Sequence, residues 1–170
     1  MKPILYVLVA VGWLSVLVSG ANAATPCKSS DFDDLMPLLE TTGRKVDIKL
    51  IPGPDVSLSR DGQKIEIELR SPIRGRLIIA ALWSAGHASV FPGPNEDEIV
   101  VDIDQPFRKS FYASDQGEGS FIVIVWPPHS RFPLDCGPFA ASMDEDSRAT
   151  PTIDAAPNVA WARTAYRIAP

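Results

Sequence analysis

Apolar and charged residues alternate strictly in two early stretches of the chain. In the first, KVDIKLI at residues 45–51, Val46, Ile48 and Leu50 are expected to point one way and the lysine and aspartate side chains the other. The second stretch, KIEIELR at residues 64–70, repeats this pattern after a turn signal at Asp61-Gly62. A period of two predicts β-strands with one buried face and one wet face.

Two later segments are apolar on both faces, and we predict that they form central strands. They are GRLIIAALW at residues 75–83 and FIVIVW at residues 121–126. Shorter strands are predicted at HASVF, EIVVDI and FRKSFYA, with turn signals such as PGPN and DQGEGS between them. About seven short strands at near-regular spacing predict an all-β fold, either an antiparallel β-sandwich or a closed barrel, and we favour the sandwich.

The alternation also predicts which side chains form the core. The predicted core residues are Val46, Ile48, Leu50, Ile65, Ile67, Leu69, Leu77, Ile79, Val90, Val101, Phe121, Val123 and Val125.

One short helix is expected before the strands, in the segment SSDFDDLMPLLETTG. Ser30 is the predicted N-cap, and Asp31, Asp33 and Asp34 would lie in the first turn, where the helix dipole favours anions. Gly43 would end the helix.

The amino-terminal residues 1–23 have the pattern of a cleaved signal peptide. Lys2 precedes an apolar run at residues 4–18, and Ala21-Asn22-Ala23 fits a small-x-small cleavage site. The alternative is an uncleaved amino-terminal anchor. No later stretch is apolar enough to span a bilayer, so we expect no stable membrane insertion after cleavage and a periplasmic or secreted location.

The mature chain is predicted to contain a sandwich domain at residues 24–138, followed by a different region at 139–170. Residues 141–158 are small, polar and proline-bearing, which predicts a flexible linker. The sequence VAWARTAYRI that follows could supply a terminal strand at residues 161–168.

The net charge and the cysteine content reduce the number of functions that the protein could have. Without residues 1–23, fifteen basic residues stand against 21 acidic ones, a net charge of −6, which makes nucleic acid a poor partner. The two cysteines, Cys27 and Cys136, are predicted to form a disulfide, because an exported chain meets an oxidising compartment. The alternative for Cys136 is a nucleophile, but no base lies near it in sequence.

The stretch SVFPGPNEDEIVVDID raises the question of a metal or catalytic site. Glu96, Asp97 and Glu98 follow a turn, and Asp102 and Asp104 would point to one face of a strand, where two carboxylates could help to hold calcium. The regular ligand spacing of a calcium loop is absent. We therefore interpret the stretch as the solvent side of a hairpin and predict no metal site and no cofactor.

Motifs of catalysis are missing from the sequence. The two histidines, His87 and His129, fall in predicted loops and have no partner at a catalytic spacing. We predict that the protein is not an enzyme. Trp83 and Trp126 each close a central strand and could together form a platform for a sugar or peptide, or else cap one end of the core. The candidate binding surface thus comprises Trp83, Trp126, Glu96, Asp97 and Glu98.

Residues 61 to about 133 contain a series of turn and strand-end motifs: Asp61-Gly62, Gly75, Gly86, Val90-Phe91-Pro92 with Asn95, residues 117–119, and residues 122–127. In these motifs the region resembles a bacterial β-rich domain of unknown function that is often appended to caspase-like peptidases and protein kinases. Arg76 departs from the pattern, because an aromatic residue is usual there. The resemblance implies a non-catalytic β-sandwich accessory module without a family active site.

Three functions remain in competition. The first is an exported, non-catalytic binding or accessory module that contacts an envelope protein or glycan. The second is a proteinaceous inhibitor of an envelope-directed hydrolase such as lysozyme, since an acidic surface would steer a basic enzyme towards it. The third is a hydrolase that depends on paired carboxylates.

Overall fold

The computed structural model describes residues 25–57, 63–94, 96–113, 116–128, 130–142 and 158–169. The predicted signal peptide, the Asp61-Gly62 turn, His129 and most of the predicted linker lie outside these residues. The described elements are α1 (Ser29–Thr42), β1 (Arg44–Lys45), β2 (Asp47–Ile51), β3 (Asp55–Ser57), β4 (Gln63–Arg70), β5 (Gly75–Trp83), β6 (Ala88–Phe91), β7 (Val100–Val101), β8 (Pro106–Ala113), β9 (Gly117–Trp126), a 3₁₀ helix (Gly137–Ser142) and β10 (Ala160–Ala169).

The strands form two sheets, which confirms the all-β sandwich with a short amino-terminal helix. The larger sheet has the order β1-β10-β9-β5-β6, with β3 also paired to β10 and β7 to β5, and the smaller sheet has the order β2-β4-β8. Strand pairing is antiparallel except that β10 runs parallel to β1 and β3. The described strands number ten rather than about seven, because several are only two to four residues long.

The strand suggested near the carboxyl end is present and lies inside the larger sheet. β10 pairs with β9 from Ala160↔Val125 to Ile168↔Gly117, and its other edge carries β1 and β3. The sandwich therefore does not end at residue 138, because β10 contributes four side chains to its core.

The larger sheet is apolar on both faces and so builds two cores. The sandwich core lies between the two sheets. Its buried members are Val46, Leu50, Ile65, Ile67, Leu69, Ile73, Leu77, Ile79, Ala81, Phe91, Val101, Phe121, Val123, Val125, Ala160, Ala162, Tyr166 and Ile168. Two residues predicted for this core have other positions in the structure. Ile48 is only partly buried, and Val90 packs against the opposite face of the sheet.

The helix-side core lies on the other face of the larger sheet, under α1. Its buried members are Cys27, Phe32, Leu35, Met36, Leu39, Ile78, Ala80, Leu82, Ile122, Ile124, Trp126, Phe132, Cys136, Val159 and Trp161. The sequence did not indicate what packs against the second apolar face of β5 and β9. In the structure, a helix and the loop that follows β9 pack against it.

Helix α1 begins two residues earlier than the predicted cap implies. Lys28 rather than Ser30 is the N-cap residue, and its backbone N–H donates to a carboxylate oxygen of Asp31 at 2.7 Å. Gly43 ends the helix as predicted, with its N–H donating to the Leu39 carbonyl at 2.8 Å. A Cβ at Gly43 would lie 2.5 Å from the Trp161 ring, so close packing on β10 requires glycine there.

The predicted disulfide between Cys27 and Cys136 is confirmed, with Cα atoms 4.9 Å apart. It joins Cys27, two positions before α1, to the residue just before the 3₁₀ helix, and both cysteines are buried in the helix-side core. Such a bridge is typical of chains that fold in an oxidising compartment. In the part of the chain described here, no helix has the length and hydropathy that a membrane span requires.

Candidate functional site

The structure does not bring Trp83 and Trp126 together. Because β5 and β9 are antiparallel, Trp83 lies opposite Gly119 and Trp126 lies opposite Arg76, at the two far ends of the paired strands. The side chains also pack on opposite faces of the sheet, Trp83 against the sandwich core and Trp126 within the helix-side core. A platform built from both indoles is therefore excluded.

Trp126 has a structural role at its end of the sheet. It is 5% exposed, its Nε1 donates to the Arg131 carbonyl at 3.1 Å, and its ring meets the ring of Phe132 edge-on at 5.2 Å. Trp83, by contrast, is only partly buried, and its ring meets that of Tyr166 edge-on at 5.5 Å.

The acidic loop is exposed, and two of its three carboxylates have partners within their own region. Glu96 accepts a hydrogen bond from the Gly93 N–H at 2.6 Å, and Glu98 pairs with Arg76 at 2.5 Å. The second contact ties the loop to the first residues of β5, because Arg76 follows Gly75 at the start of that strand. The loop therefore lies at the far end of β5 from Trp83.

Asp102 and Asp104 do not share a strand face, because β7 ends at Val101. Asp102 pairs with Arg74 at 3.1 Å, and Asp104 has a positive φ of 57° in a turn beyond the strand. Among the described residues one group of three potential metal ligands converges, Cys27, Asp31 and Cys136. Its two sulfurs are bonded to each other, so neither is available as a thiolate ligand.

An open cleft of about 460 Å³ lies at the end of the larger sheet where β5 finishes and β9 begins. We call it the Trp83 cleft. Its walls come from the amino end of α1, the turn after β5, the start of β9 and the middle of β10. The lining residues are Ser29, Asp33, Leu82, Trp83, Ser84, Gly86, Glu118, Gly119, Ser120, Arg163 and Ala165.

The polar side chains of the Trp83 cleft are held in place by one another. Arg163 donates from Nη1 to Asp33 at 2.9 Å and from Nε to the hydroxyl of Ser120 at 3.2 Å, so it ties α1 to β9. The hydroxyl of Ser29 donates to the His87 carbonyl at 2.9 Å. Glu118 accepts from Arg167 at 2.8 Å on the neighbouring strand. A cleft with hydroxyls, two carboxylates and a guanidinium in fixed positions can form several directional hydrogen bonds to one ligand.

A smaller cavity of about 80 Å³ adjoins Trp83 on the sandwich side of the sheet. We call it the Tyr166 cavity. It is lined by Ile65, Ala81, Trp83, Ser89, Phe111, Tyr112, Phe121 and Tyr166. Tyr166 is 3% exposed, and within the part of the chain that the structure describes its Oη has no hydrogen-bond partner. Burial raises the pKa of this phenol to about 12.

A second open groove, of about 540 Å³, runs beside the later part of α1, between Met36 and Ile48. Its aromatic residue is Trp161, which is 4% exposed. The Nζ of Lys45 lies 3.0 Å from the centroid of that ring and covers it. The groove therefore offers a ligand less accessible aromatic surface than the region around Trp83.

Sequence reasoning found Trp83 but missed the residues that accompany it. Asp33 was assigned to the first turn of a helix, and Arg163 lay in a segment expected to be at most a terminal strand. The two residues are 130 positions apart, and nothing in the local pattern links them. Only the pairing of β10 with β9 brings them together.

Comparisons with known proteins returned no match. No family model, no curated protein and no solved structure is similar to this chain.

Proposed function

We propose that the protein is an exported, non-catalytic binding module, and that it holds a glycan of the cell envelope in the Trp83 cleft. The observation that carries this proposal is the composition of that cleft. Hydroxyl, carboxylate and guanidinium groups surround an apolar floor that includes Leu82 and Ala165. A sugar presents hydroxyls around its rim and C–H groups on its faces, so such a cleft complements both parts.

The rigidity of the cleft supports recognition of a ligand. Arg163 is fixed by Asp33 and Ser120 before any ligand arrives, so binding does not require that side chain to be ordered. The carboxylates of Asp33 and Glu118 are each paired with an arginine, which fixes their oxygens as hydrogen-bond acceptors.

Export is the second part of the proposal. The disulfide fits an oxidising compartment, and the pattern of residues 1–23 fits a signal peptide, so a periplasmic or secreted location follows. The resemblance of residues 61–133 to a non-catalytic accessory domain agrees with this role and stays a prediction.

Co-sedimentation of the mature protein with purified peptidoglycan sacculi tests the proposal. We expect the wild-type protein to pellet with the sacculi and Arg163→Gln to bind at least about 10-fold more weakly, because it loses charge-assisted hydrogen bonds. Arg74→Gln is the matched control. It removes an exposed guanidinium near the opposite end of β5 and should bind as the wild type does. Equal binding by both variants, or no binding by the wild type, would contradict the proposal.

A further inference from the structure

Three strands of the larger sheet contribute a row of side chains to the floor of the Trp83 cleft. The register places Leu82, Ser120 and Ala165 side by side on β5, β9 and β10, and all three line the cleft. Adjacent strands lie about 4.8 Å apart, so the row is about 10 Å wide. Ala165 is exposed, so its methyl group is available to a ligand. The row can therefore accept the C–H face of a sugar ring.

An ion pair lies on either side of this row along the strand direction. Arg163 donates to Asp33 at 2.9 Å, and Arg167 donates to Glu118 at 2.8 Å. The two arginines lie two positions before and two positions after Ala165 on β10, so their backbones are about 13 Å apart and their side chains share a face of the sheet. The four charged side chains are between 40% and 65% exposed, so a ligand can reach both pairs.

Each ion pair offers a donor and an acceptor while its net charge is zero. The Arg163 guanidinium has more N–H groups than its two described partners, Asp33 and Ser120, occupy. A carboxylate likewise keeps lone pairs after it accepts one hydrogen bond. A sugar hydroxyl can therefore accept from the arginine and donate to the carboxylate while the ion pair stays intact. A charged substituent would instead compete with one member of the pair and leave the other without its counter-ion.

We infer that the Trp83 cleft selects an uncharged sugar unit, whose ring lies on the row of Leu82, Ser120 and Ala165 and whose hydroxyls bind the two ion pairs. The cleft volume of about 460 Å³ equals that of about 15 waters at about 30 Å³ each, which is sufficient for one hexose with its hydroxyls. This inference rests on the proposed function and deepens it, because it names the class of sugar and excludes cationic and anionic ones.

Titration with three amino sugars at pH 6 tests the selection by charge. The probes are uncharged N-acetylglucosamine, cationic glucosamine and anionic N-acetylmuramic acid. The NMR signal of the Ala165 methyl group follows binding, and the methyl group of Ala81, which belongs to the sandwich core on the other face of the sheet, is the internal control. We expect N-acetylglucosamine to bind at least about 5-fold more tightly than either charged sugar, because each charge of the two ion pairs already has its counter-ion.

Two substitutions should change this selection in opposite directions. Glu118→Gln leaves Arg167 without this counter-ion, so the preference for N-acetylglucosamine over N-acetylmuramic acid should fall by about 2- to 5-fold, the range for one exposed charge. Arg167→Gln should reduce the preference over glucosamine by a similar factor. The matched control is Asp102→Asn, because Asp102 is also exposed and paired with an arginine, Arg74, near the opposite end of β5. This variant should keep the selectivity of the wild type.

Substitution of Ala165 tests the position of the ring. Ala165→Leu places a larger side chain on the row and should weaken co-sedimentation with sacculi by at least about 10-fold, because the side chain occupies the place of the ring. Ala165→Ser has a side chain of similar size and should bind as the wild type does. Thermal unfolding of both variants checks that they are folded, which we expect because Ala165 is exposed.

The outcomes separate this inference from the proposed function. Equal affinity of the wild type for the three sugars, or wild-type binding by Ala165→Leu, would overturn the inference, and pelleting of the wild type with sacculi would leave the proposed function intact. The absence of any response of the Ala165 methyl group to the sugars would also overturn the inference. Failure of the wild type to pellet with sacculi would overturn the proposed function as well.

Discussion

The two faces of the larger sheet are covered in different ways. On one face, the sandwich core is closed by the smaller sheet, whose strands alternate in polarity. On the other face, the helix-side core is closed by α1 and by the loop after β9, and these two pieces are joined through Cys27 and Cys136. The same strands, β5 and β9, supply side chains to both cores.

The two covers are held in place by different interactions. The strands of the smaller sheet hydrogen-bond to one another along their length, so each is held by its neighbours. Helix α1 has no such ladder to the sheet. It is held by apolar side chains such as Phe32 and Leu39, by the Asp33–Arg163 ion pair and by the disulfide. We therefore expect the helix side to depend on its cross-link and the sandwich side to be independent of it.

Removal of the disulfide should have the largest effect. The double substitution Cys27→Ser and Cys136→Ser opens a loop with a sequence separation of 109 residues and should lower the free energy of unfolding by about 4–5 kcal/mol, since the unfolded chain gains conformational freedom. Guanidinium denaturation of this variant and of the wild type measures the loss. Added reductant should weaken the wild type and leave the variant unchanged.

Hydrogen exchange of the same double variant shows which face of the larger sheet loses more amide protection. The amides of α1 should lose more protection than those of β4, because only the helix is tethered through the bridge. Equal loss of protection in α1 and β4 would mean that the bridge stabilises the whole domain without regard to face.

Truncation of one buried side chain on each face is the next test. Phe32 and Ile67 are both fully buried, one in each core. Phe32→Ala should cost about 3–5 kcal/mol and Ile67→Ala about 2–5 kcal/mol, because each leaves a cavity in packed surroundings. Chemical denaturation followed by far-ultraviolet circular dichroism measures both. A cost below about 0.5 kcal/mol for either residue would show that its face is loosely packed.

The sandwich core could be predicted from the sequence and the helix-side core could not, and the reason is physical. Alternation in KIEIELR identifies the inward face of β4 without any knowledge of the partner strand. The runs GRLIIAALW and FIVIVW are apolar on both faces and carry no information about what covers the second one. Val90 lies outside both runs; it is a predicted sandwich-core residue, but its pairing opposite Ala80 places it on the helix side.

The candidate site was predictable only in part. Trp83 was identifiable because it is an aromatic residue that closes a central strand. The other charged residues that line the cleft are Asp33, Glu118 and Arg163, which belong to three different elements. They lie close together only because β10 is in the sheet beside β9. The acidic residues Glu96 and Glu98 stood out in the sequence, but the structure shows them engaged with Gly93 and Arg76 at the other end of β5.

Substitution of Tyr166, a member of the sandwich core, should have the smallest effect on stability at neutral pH. Its hydroxyl lacks a partner among the described residues, so Tyr166→Phe should change the free energy of unfolding by no more than about 1 kcal/mol at pH 7. This distinguishes it from Ile67, where the loss of buried volume is costly. The matched control is Tyr112→Phe, which removes an exposed hydroxyl.

The effect of Tyr166 should appear at alkaline pH. The phenol has a pKa of about 12 in the folded protein and about 10 in an unfolded chain, so between these values the unfolded state releases its proton first. Stability is therefore fully present below pH 10 and falls as the pH rises towards 12, by about 2–3 kcal/mol for this group alone. Tyr166→Phe removes that fall, whereas Tyr112→Phe should follow the wild-type curve. Denaturation at a series of pH values from 8 to about 11.5 measures the difference, and parallel curves for the wild type and Tyr166→Phe would show that the hydroxyl reaches solvent or a partner.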